Sequence, residues 1–502
     1  MRRVRGLSSR WDRLSLPEIR RLQISKLRRF LREQVLPFSP RYRDLFEQHR
    51  LDPAILKTPE DLRRIPLTQK SDFLPTAEDP SRYRDIILQP TPETIERHAS
   101  WSKKLGLGWH ALRHGKAATR ELVGREYRPT SLIFTTGRSS VPVPFALSLY
   151  DIEVLKVAGG RMMDVLEVDP AQDRGVSLFP YAPHLAFWQV VFSGLSKGML
   201  ILNTGGGKIL GSDGILNAFQ RIRPTVIMGI PGYCYHLLRK ARRAGMDLSF
   251  VRLVALGGEL VSPALKSRLV ELLKAMGAQS PRVVSVLGFT EARCCWTECP
   301  AEESTGFHLY PDLNLVEIVN PETGEPLPDG ETGELVYTAL DGRGSVLVRY
   351  RTGDIVQGGL VHEPCPSCGR TVGRLGTDIQ RRSNIKTLAT SKVKGTLVNL
   401  HDLSTMLGSY RAIEEWQIVI CKKDDDPFET DEMELYLSLA TTASEDQIRE
   451  QIEREMMMKH ELRFNRIEFL PLNEILDRMG METKLKEERI VDRRPSLQDQ
   501  SS

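Results

Sequence analysis

The sequence predicts an α/β protein: a large N-terminal domain of mostly parallel sheets with packed helices and a small β region, then a small mobile C-terminal α+β domain. Three observations carry this. From Thr130 to about Gly359, short apolar runs alternate with amphipathic stretches, the rhythm of strands covered by helices. After Asn320, Gly/Pro-rich turns (Pro321-Glu322-Thr323-Gly324, then Asp329-Gly330) cut the chain into short strands. After about Arg382, Glu415–Ile420 and Glu432–Leu439 alternate polar and apolar residues at period two around one charged helix.

Each element has its own signal. Ser15-Leu16-Pro17-Glu18 reads as a capping box with Pro in the first turn, opening a helix to about Val35. Ser131–Phe134, Thr225–Ile230, Val251–Leu256 and Val283–Leu287 read as strands. Between the last two, Leu265, Leu269, Leu272, Leu273 and Met276 share one helix face, begun by Ser262-Pro263 and ended by Gly277. The tail reads as a helix from about Ser444 to Lys459 and a strand at Phe464–Leu470. The expected boundaries are 1–382 for the large domain and 383–494 for the small one, with a frayed tail at 495–502. Within the large domain, a helical arm to about residue 75 and an inserted stretch to about 128 precede the core at 129–382.

The bulk properties exclude several classes. A chain of 502 residues suits two or three domains. Its 70 basic and 65 acidic residues nearly cancel, which argues against nucleic acid as a partner. The basic start lacks the apolar core of a secretory signal. Leu185–Leu202, the most apolar stretch, is interrupted by Gln189, Ser193, Ser196 and Lys197, so it reads as a buried segment and not a membrane span. Seven cysteines in this length do not make a disulfide scaffold. The expectation is a cytoplasmic protein; its oligomeric state is left open, a homodimer being one option.

Three strings carry chemistry. In Tyr350-Arg351-Thr352-Gly353-Asp354, Gly353 permits a tight turn and Asp354 offers two acceptors for a pair of ribose hydroxyls. Gly288-Phe289-Thr290-Glu291 places Glu291 at the carboxyl end of a strand, where ligands bind in open α/β sheets. Gly257-Gly258-Glu259 ends the preceding strand and lets a flat ring approach the backbone.

In this order and spacing the strings resemble the adenylate-forming superfamily of acyl-CoA synthetases, luciferases and peptide-synthetase adenylation domains. Pro40–Phe46, Thr58–Lys70 and Arg489–Arg494 narrow the resemblance to the phenylacetate–CoA ligase family, over nearly the whole chain. The resemblance implies ATP-dependent activation of a carboxylic acid as acyl-AMP and transfer to CoA. Glu291 would then bind Mg²⁺, Gly257, Gly258 and Glu259 would flank the adenine, and Asp354 would hold the ribose. Lys486, three residues before Arg489, would be the catalytic lysine, with Lys484 its near competitor. Phe187, Trp188, Pro231, Gly232 and Tyr233 lie on segments like the family's acid-binding walls.

Two segments depart from the family pattern. The phosphate loop, Thr135-Thr136-Gly137-Arg138-Ser139-Ser140-Val141-Pro142, has Ser140 and Val141 where Gly and Lys are usual, and Arg138 is the available replacement cation. Arg381-Arg382-Ser383-Asn384 stands where the family has Gly-Arg and two acidic residues, leaving Arg381 or Arg382 to reach ribose or phosphate. A nucleotide-binding scaffold without catalysis, or transfer to a carrier-protein thiol or an amine, are the competing readings.

A separate signal is Cys365-Pro366-Ser367-Cys368-Gly369, a knuckle whose two thiolates suit one ion. Some family members carry zinc on a matching Cys, His, Cys, Cys set, here Cys299, His308, Cys365 and Cys368. Four protein ligands would make such a Zn²⁺ structural. Cys294 and Cys295 are competing ligands, while Cys234 and Cys421 read as core residues.

Overall fold

The computed structural model of the protein describes residues 4, 6–74, 76, 79–134, 144–381, 391–393, 396–398, 400–423, 431–440, 443–460, 462–481, 483–484 and 487–494. A nine-stranded sheet forms the centre. From one edge run Leu200–Asn203, Arg174–Ser177, Val226–Gly229, Leu253–Gly257 and Arg282–Phe289, all parallel. Cys294–Thr297, Phe307–His308, Arg374–Leu375 and Leu360–Val361 extend it antiparallel. The parallel strands are joined by the helices Leu185–Lys197, Gly207–Ile222, Pro231–Arg243 and Pro263–Ala275. Covered on both faces, Val226–Gly229 and Leu253–Gly257 are buried throughout. The chain leaves Arg174–Ser177 toward one edge and returns on its other side as Val226–Gly229. The strand order therefore reverses between these two, and their carboxyl ends open a crevice.

A second sheet orders Thr68–Gln69, Tyr350–Val356, Gly333–Ala339 and Asn314–Val319, with Ile379–Arg381 also pairing Tyr350–Val356. A third joins Arg466–Phe469, Asp431–Leu439, Ile413–Lys422 and Ile490–Asp492, flanked in sequence by the helices Leu400–Ser409, Glu445–His460 and Leu472–Met479. The mixed α/β class is as the sequence predicts. One apolar core is shared between the central helices and this carboxyl-terminal unit, combining Leu237, Leu238, Leu269 and Leu272 with Val419, Tyr436, Ile475 and Met479. Arg239 pairs with Glu414 at 2.6 Å and Arg268 donates to the carbonyl of Ile413 across the same junction.

Local chemistry explains most boundaries. Glu18 accepts from the Ser15 amide and hydroxyl at 2.8 and 2.6 Å, closing the capping box. That helix runs to Phe38 and not Val35, with a π-helical turn over Leu31–Val35 ahead of Pro37. A proline there has no N–H to donate, and its ring would strike the carbonyl four residues back, so the ladder widens. Ser262 caps Pro263–Ala275 by accepting from Leu265 N at 3.2 Å. The stretch Leu185–Leu202 is not wholly buried as expected. It divides at the left-handed Gly198 into a helix and an edge strand, leaving Leu195 67% and Leu200 60% exposed.

Candidate active site and metal centre

A cavity of about 620 Å³ occupies the crevice at the reversal of strand order. Phe179 and Pro180 reach it from beyond Arg174–Ser177, Met228 and Ile230 from Val226–Gly229 and just after it, and Gly257 and Gly258 from the end of the next strand. Gly288 and Thr290 close that side, while Phe134, Leu185, Phe187 and Val190 make an apolar wall opposite. The glycines are dictated by space and backbone. A Cβ on Gly257 would lie 2.9 Å from the Val286 carbonyl oxygen, and Gly258 has φ +90°, a conformation that side chains disfavour.

Glu291 is buried in a single 3₁₀ turn, Thr290–Ala292, directly after Arg282–Phe289. The turn is held by its neighbour. Arg293 takes φ +55°, and its guanidinium donates to Asp151 Oδ1 at 2.6 Å with both side chains buried. Asp151 Oδ2 accepts from Ser148 N and Oγ and from Gly344 N, so the carboxylate is saturated with donors. Phe289 points elsewhere, edge-on to Tyr337 at 5.4 Å, and couples the central sheet to the second one.

Asp354 sits half-buried on that second sheet, its backbone N–H donating to Thr352 Oγ1 at 3.0 Å and its Cα in register with Arg381. Arg351 is held by Glu334, which also accepts from Gly353 N at 3.2 Å. Gly353 has φ +75° with open space beside it. Neither Asp354 nor Glu259 lines the cavity.

Of the five expected acid-pocket residues only Phe187 lines the cavity. Trp188 turns along the helix and stacks on Phe192 at 6.3 Å. Pro231 starts the helix Pro231–Arg243 and is buried. Tyr233 is buried beside Ser212 and Gly207. Gly232 faces the carboxyl-terminal unit: a Cβ there would meet the Glu487 carboxylate at 1.8 Å. Thr135, Thr136, Gly137, Arg138, Ser139, Ser140, Arg382 and Lys486 lie outside the described residues.

The cavity also holds residues that sequence reasoning missed. His184 lines it and its Nδ1 meets the Phe134 carbonyl at 3.2 Å. Gln189 Nε2 donates to Leu155 O and Ser193 Oγ, both at 3.3 Å, while Oε1 is buried with no partner among the described residues. Each depends on packing between distant segments, and only the Asp151 position in its Ser148 capping box left a local trace. Cys295 lines the cavity too, and burial pushes its thiol up to about 12.

Away from the cavity, Cys299, His308, Cys365 and Cys368 bring one ligand atom each within 4.8 Å of all the others. Cys299 Sγ and Cys365 Sγ are 3.8 Å apart, and Cys368 Sγ is 3.3 Å from His308 Nε2. A tetrahedral ion with metal–sulfur bonds of about 2.3 Å needs sulfur atoms about 3.8 Å apart, so the donor set fits one. His308 Nδ1 lies 3.2 Å from the Thr297 carbonyl, which fixes the tautomer and turns Nε2 to the cluster. Hydrogen bonds from Cys299 and His308 hold the Cys368 thiol below its ordinary value, while the same bond to Cys368 pushes the Cys299 thiol up, so the two share a proton. Gly369, φ +66°, donates to the Cys365 carbonyl at 2.9 Å and completes the knuckle. Arg13 then donates to the Gly369 carbonyl at 2.6 Å, tying the amino-terminal segment to it. Cys294 and Cys295 belong to the strand Cys294–Thr297 and take no part in the cluster; Cys234 is fully buried and Cys421 half-buried.

Parallel strands whose glycine-bearing ends face an apolar crevice define a class, and known proteins supply it. Residues 148–339 match the family model of the AMP-binding enzymes. The whole fold matches a solved 2-hydroxyisobutyryl-CoA ligase in its postadenylation state, with TM-score 0.72 and 19% identity over 97% of this chain and 92% of that one. The fold is thus that of this solved ligase, and residues 148–339 are similar to an AMP-binding enzyme domain.

Its curated relatives are phenylacetate–coenzyme A ligases. That of Thermus thermophilus is 26% identical over 424 residues, covering 82% of this chain and 80% of the relative. That of Escherichia coli is 24% identical over 372 residues, covering 72% and 70%.

Proposed function

We propose that the protein is an AMP-forming carboxylate–coenzyme A ligase. The observation that carries this is the apolar cavity joined, at the reversal of strand order, to the bare backbone of Gly257, Gly258 and Gly288. A flat adenine needs such backbone access, and an acyl or aryl body needs such a wall. The acid attacks the α-phosphate of ATP, giving acyl-AMP and pyrophosphate, and the CoA thiol then displaces AMP.

Glu291 holds Mg²⁺, Asp354 takes the ribose hydroxyls, and Arg381 or Arg382 adds a cation near the nucleotide. The loop containing Thr135, Thr136, Gly137, Arg138, Ser139 and Ser140 grips the departing phosphates, with Arg138 in place of the usual lysine. Lys486 neutralises charge on the α-phosphate. A structural Zn²⁺ on Cys299, His308, Cys365 and Cys368 pins the turn after Glu291 to the knuckle. The need for ATP and CoA supports a cytoplasmic location.

The test is Mg²⁺-dependent exchange of pyrophosphate into ATP across a panel of aryl, fatty and hydroxy acids, with and without CoA. Exchange with at least one acid, and CoA thioester when CoA is added, is the expected result. Nucleotide binding with no exchange for any acid leaves the scaffold reading standing instead.

A further inference from the structure

The helix Trp101–Tyr127 presents an apolar face to solvent. Trp101, Leu105, Trp109 and Leu112 follow one another at four, four and three residues, so they form one stripe. Their exposures are 77%, 57%, 71% and 83%. The other side of the helix faces the body. Lys103 donates to Tyr127 and, at 3.2 Å, to Gln34, and lies 4.4 Å from the centre of the Phe38 ring. Gly115, with φ +86° and ψ 161°, breaks the helical geometry and confines the stripe to the first half.

Charge says what covers it. From Trp101 to Arg120 the chain carries Lys103, Lys104, Arg113, Lys116 and Arg120 and neither Asp nor Glu, although the whole protein is nearly balanced. Lys104 and Arg113 flank the stripe on either side. Two indoles on an apolar stripe edged with cations are the chemistry of a helix lying in a membrane interface. A second copy of the same face would set cation against cation. We propose that this helix docks the protein on the surface of an anionic lipid bilayer, indoles at the headgroup level and cations toward the lipid phosphates. Nothing in this inference depends on the catalytic reading.

The experiment is flotation of the full chain with phosphatidylcholine vesicles, with and without phosphatidylglycerol. Binding is expected only with phosphatidylglycerol and should weaken as salt is raised. The Trp101→Ser/Trp109→Ser variant should lose it while melting and turning over substrate like wild type. Lys104→Gln and Arg113→Gln should each weaken it about fivefold. No flotation with anionic vesicles overturns the proposal, as does binding unchanged in these variants. So does a stripe-dependent dimer in light scattering, or stripe-dependent retention on an acidic carrier protein, when flotation is absent.

Discussion

Asp151 and Arg293 bury opposite charges 142 positions apart beside the turn Thr290–Ala292, which carries Glu291. Removing one partner leaves the other charged and dry. Asp151→Ala should therefore cost about 3–5 kcal/mol in urea unfolding; a loss below about 1 kcal/mol would mean that water already solvates the pair. Two glycines separate packing from docking. Gly257→Ala drives a Cβ at a backbone carbonyl, so it should both destabilise, by roughly 1–3 kcal/mol, and impair ATP exchange. Gly232→Ala meets the flexible Glu487 carboxylate, so its melting temperature should stay close to wild type. At this scale the sequence pointed to residues in compact strings; of Gly257, Glu291 and Asp354, Gly257 lines the cavity and the other two do not. It concealed Gln189, His184 and Arg293, because their surroundings come from segments far away along the chain.

The knuckle Cys365–Cys368 is the element whose role is most open to measurement. Protein purified without chelator should hold about one zinc per chain, and stripping it should lower the melting temperature before it alters substrate affinity. Zinc on these ligands would be held by thiolates and neutral imidazole, so protons would compete with the metal and the stabilisation should fade as pH drops. Metal-free protein by elemental analysis, or a Cys368→Ser variant that melts like wild type, would discard the assignment. Capping residues made other elements readable: Ser15, Ser262 and Gly198 mark starts and stops by local hydrogen bonding or backbone sign. Exposure of Leu195 and Leu200 was not readable, since apolar composition does not reveal that Leu200–Asn203 forms the sheet's edge.

At the scale of the molecule, the carboxyl-terminal unit rests on the helices Pro231–Arg243 and Pro263–Ala275 through a shared core and through Arg239 and Arg268. If Lys486 enters the site only for adenylation, Lys486→Ala should cut ATP-driven synthesis on the order of a hundredfold. Thioester formation from supplied acyl-AMP and CoA should stay within several-fold of wild type. Equal losses in both assays would remove the lysine from the first step; a selective defect in Lys484→Ala would move the role two positions. The alternation of strands and helices gave away the α/β class, but strand order did not follow from it. Which strands neighbour each other depends on how each crossover turns, and the crevice exists only because one reverses.

That crevice has a lopsided construction. Ten of its 22 lining residues come from the single stretch 179–190, whereas Gly257, Gly258 and Gly288 belong to separate strand ends. If the crevice takes the acid and the glycine ends take ATP, dietary range and energy currency are written in different passages of the chain. A lineage, or an engineer, exchanging that one cassette could inherit a new acid while leaving the adenylating apparatus untouched.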